Sequence, residues 1–98
     1  MVKHVVSFKL TGTPDERREI ANKFRDALLK LPQQIEVLKE IQVGLNANPA
    51  EDWDITLIAT VPQMADVAVY ATHPAHVAAA AIVAPHKEAR ACVDFYED

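Results

Sequence analysis

Trp53-Asp54-Ile55-Thr56-Leu57-Ile58-Ala59-Thr60-Val61 is the stretch on which the fold turns. Trp53, Ile55, Leu57, Ala59 and Val61 share one face, and Asp54, Thr56, Ile58 and Thr60 share the other. A period of two over that length, rich in β-branched residues, describes a strand with one buried side. The chain N-terminus repeats the pattern. Val2, His4, Val6, Phe8 and Leu10 share a face opposite Lys3, Val5, Ser7 and Lys9. Two further strands are expected at Leu38 to Leu45 and at Ala91 to Tyr96, the latter with Cys92, Asp94 and Tyr96 opposed to Ala91, Val93 and Phe95.

Between the strands the period changes to that of a helix. Thr13-Pro14-Asp15-Glu16 reads as a start signal, with Thr as N-cap, Pro at the first helical position and Glu three residues after the cap. Ile20, Phe24, Ala27, Leu28 and Leu31 then recur at helical spacing until Pro32 closes the segment. After the third strand, Pro62 opens a helix carrying Met64, Val67, Ala68 and Tyr70, which stops near Thr72-His73. Pro74 starts another helical piece through the Ala78 to Ala81 run, Ile82 and Val83, interrupted at Pro85. The order is β-α-β-β-α-β, an α+β, ferredoxin-like arrangement with a four-stranded antiparallel sheet and helices on one face. A single domain over residues 1–98 is expected. The face without helices holds Val5 and Ile58 among small polar residues. A second copy laid against it gives a symmetric dimer, whereas a monomer would leave it wet, as Ser7, Thr56 and Thr60 would tolerate.

Composition removes several classes. Ten Lys and Arg against fourteen Asp and Glu give a net charge of −4, which disfavours binding to phosphate backbones. No apolar run approaches the roughly 18 residues that a membrane helix needs. The Met1-Val2-Lys3-His4 start lacks a signal-peptide core, so a cytoplasmic location is expected. One cysteine, Cys92, excludes internal disulfides and multi-cysteine metal sites, and two glycines exclude dinucleotide and phosphate-loop fingerprints.

Four residues stand out chemically. His4 lies on the apolar face of its strand, either as a core histidine satisfied by one hydrogen bond or as part of a site. Because the first and last strands pair antiparallel in this topology, Asp94 is placed to orient its imidazole. Tyr70, near the end of one helix, offers a phenolic donor, and His76, in the first turn of the next, offers a base kept neutral by the helix N-terminus. Beside an apolar cavity they suit proton abstraction next to a carbonyl; alternatively, Tyr70 packs in the core and His76 is partly exposed. His73 and His76 hint at a metal pair, but Pro74 pushes His73 out of the α conformation and no further ligand completes a shell. His73 is therefore read as a cap on a helix-end carbonyl, and no metal or cofactor is expected. Cys92 is expected to pack as a small core residue, Trp53 to anchor the rim or core, and His86 to be solvated.

Val2-Lys3-His4-Val5-Val6, Gly44-Leu45-Asn46, Tyr70-Ala71-Thr72-His73-Pro74-Ala75-His76 and Val93-Asp94-Phe95 together resemble the stress-responsive dimeric α/β-barrel family, the Tyr-x-x-His-Pro-x-His segment being the specific part. The resemblance runs from end to end. It implies a homodimer of ferredoxin-like subunits whose sheets form a barrel, with most members lacking an established activity. One branch, the plant olivetolic acid cyclase type, closes a polyketide ring by aldol-type chemistry between sheet and helices, which would assign catalysis to His76 and Tyr70 with His4 nearby. A pocket histidine of that branch is replaced by Ile55 here, and its bulky aromatic walls correspond to Ala79 and Lys87. Some members hold magnesium on main-chain carbonyls, which would fall at Pro32 to Leu38. The resulting expectation is a small apolar or aromatic ligand in a pocket lined by Val6, Phe8, Phe24, Ile55, Leu57 and Ala79, with Asp94 and His73 in support. A cofactor-free acid–base enzyme is the alternative, and a haem-associated monooxygenase-like barrel a weaker one on fold analogy.

Overall fold

Strand β1 (Val2–Leu10) occupies the middle of the sheet in the computed structural model, which describes residues 1–97. The elements that follow are α1 (Pro14–Leu29), a 3-10 turn (Leu31–Gln33), β2 (Glu40–Leu45), β3 (Ile55–Val61), α2 (Ala65–Thr72), α3 (Pro74–Val83), a second 3-10 turn (Ala84–His86) and β4 (Lys87–Tyr96). The sheet order is β2-β3-β1-β4, and every neighbouring pair is antiparallel. This is the ferredoxin-like α+β fold.

Alternation in β1 translates directly into layers. Val2, Val6, Phe8 and Leu10 are buried and His4 is buried with them, while Lys3, Val5, Ser7 and Lys9 are half-buried on the other face. On the covered side, Ile55, Leu57, Ala59 and Val61 of β3 meet Ala21, Phe24 and Leu28 of α1, Tyr70 of α2, and Ala79 and Val83 of α3 in one core. The opposite face carries polar pairs, with Lys3 Nζ donating to Thr60 Oγ1 at 2.9 Å and the Ser7 and Thr56 hydroxyls 2.7 Å apart. Those bonds explain how polar side chains share that face with Val5 and Ile58. No single helix among the described residues is long and apolar enough to cross a membrane.

Helix α1 begins with the capping box. Thr13 N–H donates to Glu16 Oε1 at 2.9 Å, and Glu16 N–H donates to Thr13 Oγ1 at 3.2 Å. The Thr13 backbone bond holds the Glu16 carboxyl below its ordinary range. Gly12 precedes the box with φ of 112°, a conformation open to glycine.

Element ends differ from the sequence reading in instructive places. Trp53 lies outside β3, because the Asp54 carboxylate accepts Leu10 N–H at 2.7 Å in place of a ladder carbonyl. Half-buried Trp53 instead lies with Lys9 Nζ 5.8 Å from its ring centroid. Leu38 also falls outside its strand, buried in a turn that donates its N–H to Ile35 O. Helix α2 starts at Ala65 rather than at Pro62, since Asp66 turns back to accept Gln63 N–H at 3.1 Å, leaving Met64 as the N-cap. Strand β4 starts at Lys87 rather than Ala91: Thr11 N–H donates to His86 O at 2.8 Å and opens the ladder there. The charged Lys87–Arg90 segment is suited to the edge strand it forms.

Candidate functional site

Register decides the first pair. In the β1–β4 ladder His4 is directly opposite Asp94 and Val6 is opposite Cys92, so all four project to the helix side of the sheet. His4 Nδ1 and Asp94 Oδ1 are 2.5 Å apart, with the imidazole buried and the carboxylate half-buried. A carboxylate there accepts the Nδ1 proton and fixes both the tautomer and the plane of the ring. Cys92 Sγ lies 3.6 Å from the same Nδ1 and 3.8 Å from the same Oδ1.

The second pair comes from the corner between α2 and α3. His73 takes extended backbone geometry ahead of Pro74, which ends α2 and turns the chain. Its Nδ1 accepts Ala75 N–H at 3.0 Å, so it caps the start of α3. This corrects the expectation of a bond to a helix-end carbonyl: the free groups at a helix start are N–H donors, and a neutral imidazole nitrogen accepts. One turn on, His76 Nδ1 donates to Ala71 O at 2.9 Å. That bond spends the Nδ1 proton and leaves Nε2 as the nitrogen with a lone pair.

Tyr70 stands between the two histidines. Its ring centroid is 4.5 Å from that of His76 and 5.8 Å from that of His4. The side chain is 0% exposed, and its hydroxyl meets no hydrogen-bond partner among the described residues. Burial pushes the phenol well above its ordinary range, so it remains a neutral donor. Burial likewise lowers His76, followed by the charges of His4 and Arg90, while the Ala71 carbonyl acts in the raising direction. The cause expected from sequence, the helix N-terminus, is replaced by desolvation. A neutral base with one free nitrogen thus faces the ring of a neutral phenol. The structure brings His4, Tyr70, His76 and Asp94 together and leaves His73 to hold the corner.

Cys92 was missed as a neighbour of this cluster, and it is exposed rather than packed in the core. Its thiol is pushed up, first by burial and then by the Asp94 carboxylate. The signal was present in its spacing of two from Asp94 on one strand face. What hid it was the position of β4 at the sheet edge, where the strand is exposed along nearly all its length.

The residues expected to line a pocket all lie beneath the helices. Val6, Phe8, Phe24, Ile55, Leu57 and Ala79 are all buried core residues, with Phe8 and Phe24 packed edge to face at 5.5 Å between centroids. Large apolar side chains close on one another once α1 lies over the sheet. A cleft of about 930 Å³ lies at the Leu10 end of β1 among Arg17, Arg18, Asn46, Asn48, Asp52 and Asp54. Its lining mixes polar and apolar side chains, and Arg17 Nε and Asp54 Oδ1 pair at 3.1 Å on its wall. His86, expected in solvent, is half-buried in the turn before β4.

A four-stranded antiparallel sheet in this order with its helices on one face places the chain among ferredoxin-like α+β proteins. Residues 2–97 match the Stress responsive A/B Barrel Domain, and the chain belongs to that family. It is 48% identical to a dimeric protein of unknown function with a ferredoxin-like fold from Bacteroides fragilis, covering 96% of this chain and 93% of that one at a TM-score of 0.92. A dimeric ferredoxin-like protein of unknown function from Thermobifida fusca is 32% identical, with 96% and 88% covered and a TM-score of 0.79. A hydroxynitrile lyase from Passiflora edulis, 16% identical over 99% and 93% of the two chains, shares the fold at a TM-score of 0.79. No curated protein matches the chain.

Proposed function

We propose that this protein binds a small, largely apolar compound bearing a carbonyl-type oxygen at the Tyr70–His76 pair. The observation that carries this reading is the Tyr70 hydroxyl, fully buried and unpartnered beside the ring of a neutral histidine. A buried hydroxyl without a partner costs about 1–3 kcal/mol, so an oxygen that accepts from it recovers that energy. His76 and Asp94 are half-buried while His4 and Tyr70 are not exposed, which makes the His76 side the approach for a ligand.

A second reading adds turnover without a cofactor, and the free His76 Nε2 favours it. In that step Nε2 takes the proton from the carbon next to the carbonyl. The electron pair moves onto the oxygen, and the Tyr70 hydroxyl stabilises it by a hydrogen bond. His4, held by Asp94, supports the tyrosine from its other side.

The protein works as a homodimer in this reading. Val93 and Ile58 are the ladder partners of Val5, making an apolar row across the sheet face without helices. Val93 is 63% exposed and Phe95 45%, and the relatives above are described as dimeric. A second sheet covers such a row.

Thermal-shift titration with aromatic and polyketide-like acids tests the site. A ligand at about a hundredfold excess over its Kd stabilises by about 2.7 kcal/mol, a rise of roughly 10–20 °C for a domain of this size. The rise is expected for the native chain and lost in both His76→Ala and Tyr70→Phe. An unchanged rise in both variants removes the site, as does a full panel giving no rise.

A further inference from the structure

We propose that His4, Cys92 and Asp94 form a binding site for a divalent transition metal, with zinc the ion their chemistry suits best. Among the described residues His4 Nδ1, Cys92 Sγ and an Asp94 carboxylate oxygen lie within 4.8 Å of one another. They are three different donor types: an imidazole nitrogen, a thiolate sulfur once deprotonated, and a carboxylate oxygen. Zinc takes this borderline-soft mixture in tetrahedral sites, often with three protein ligands and one water.

Distances support the geometry. With metal–sulfur bonds of about 2.3 Å and metal–nitrogen or metal–oxygen bonds of about 2.0–2.1 Å, tetrahedral donors sit roughly 3.3–3.6 Å apart. Sγ to Nδ1 is 3.6 Å and Sγ to Oδ1 is 3.8 Å, close to that spacing. The remaining edge, Nδ1 to Oδ1, is a 2.5 Å hydrogen bond and must open by under an ångström. A rotation of the half-buried Asp94 side chain supplies it, because the backbone register already fixes all three Cα positions. Rigid strands hold ligands better than loops do. The exposed Cys92 leaves the fourth position open to water.

Protons balance as follows. The thiol proton leaves to solvent when sulfur binds. The imidazole, with Nδ1 now a ligand, carries its proton on Nε2, and the carboxylate exchanges a hydrogen bond for a metal bond. The site shares His4 and Asp94 with the ligand reading above, but neither Tyr70 nor His76, and does not depend on it.

The untagged, reduced full-length chain titrated with cobalt(II) provides the test. One equivalent is expected to give visible tetrahedral d–d bands and a near-ultraviolet thiolate-to-cobalt band, both abolished by zinc(II). Cys92→Ala removes an exposed side chain and should fold normally. It is expected to lose the thiolate band and at least tenfold in zinc affinity, as three-ligand sites do when reduced to two. Asp94→Asn is expected to keep the thiolate band and to bind zinc at least tenfold more weakly, whereas His86→Ala should match the native chain. No thiolate band at saturating cobalt, or native spectra and affinity in Cys92→Ala, overturns the proposal.

Discussion

Tyr70→Phe removes one oxygen from the middle of the molecule, and its effect on stability can be worked out in advance. The side chain is fully buried and its hydroxyl unpaired, whereas the ring packs against His4 and His76. Phenylalanine keeps those ring contacts. It relieves the desolvation cost of an unsatisfied hydroxyl, about 1–3 kcal/mol, and gives back part of that gain through the small void it leaves. The net expectation is a gain of about 1 kcal/mol. For a domain of this length that corresponds to a rise in Tm of roughly 4–8 °C. Differential scanning calorimetry at neutral pH reads it directly, with Tyr96→Phe as the control because Tyr96 is 67% exposed and should shift stability by less than about 0.5 kcal/mol. The same variant should lose its response to carbonyl ligands, so that the more stable protein is the less competent one. A Tyr70→Phe protein that melts several degrees below the native chain refutes the reasoning, since the hydroxyl would then have to be satisfied in the folded state.

Other perturbations address the neighbouring groups. His76 has a folded pKa below its ordinary 6.5, so its contribution to stability is complete above that value and is lost as pH falls through the lower folded pKa. Denaturation midpoints measured between neutral pH and pH 4 should show this loss in the native chain, and His76→Gln should flatten that component; an identical slope in both would assign the acid sensitivity elsewhere. Asp94→Asn replaces the charged acceptor of the His4 bond and should cost roughly 1–2 kcal/mol by urea denaturation, with no change indicating that the pair contributes nothing net. Val93→Asp puts a charge at the exposed end of the apolar row on the open sheet face and should convert a dimer to a monomer by light scattering; a dimer that survives it pairs through a different surface.

How much of this was legible depended on where each residue sits in the sheet. β1 and β3 occupy the two inner positions, each with one face under helices, and their alternation was plain in the sequence. β4 is an edge strand exposed along nearly all its length, so no hydrophobic period marks where it begins, and its first four residues fell outside the strand expected from Ala91. The β2 boundary was blurred for a different reason. Leu38 is apolar because it caps the core from a turn, and sequence does not distinguish that from a strand position. The capping box was legible because its chemistry is local, as was the His73-Pro74 corner, although the capping direction of His73 was not.

The candidate site divides along the same line. His4 and Asp94 could be paired from topology, because antiparallel pairing of the first and last strands brings the start of one to the end of the other, and the register places them directly opposite. Tyr70 and His76 were suggested by a short motif, and the 4.5 Å ring separation follows from a turn tight enough for His76 to reach Ala71 O. Whether the space beneath the helices is hollow or filled was not legible at all. Phe8, Phe24, Ile55 and Leu57 are the residue types of either a pocket wall or a core, and a packing density set by three-dimensional fit decides between them. The polar atoms of the candidate site collect along the seam between β1, β4 and the α2–α3 corner. There His76 and Asp94 are half-buried and Cys92 is exposed, which makes this seam the side from which a small molecule or an ion would arrive.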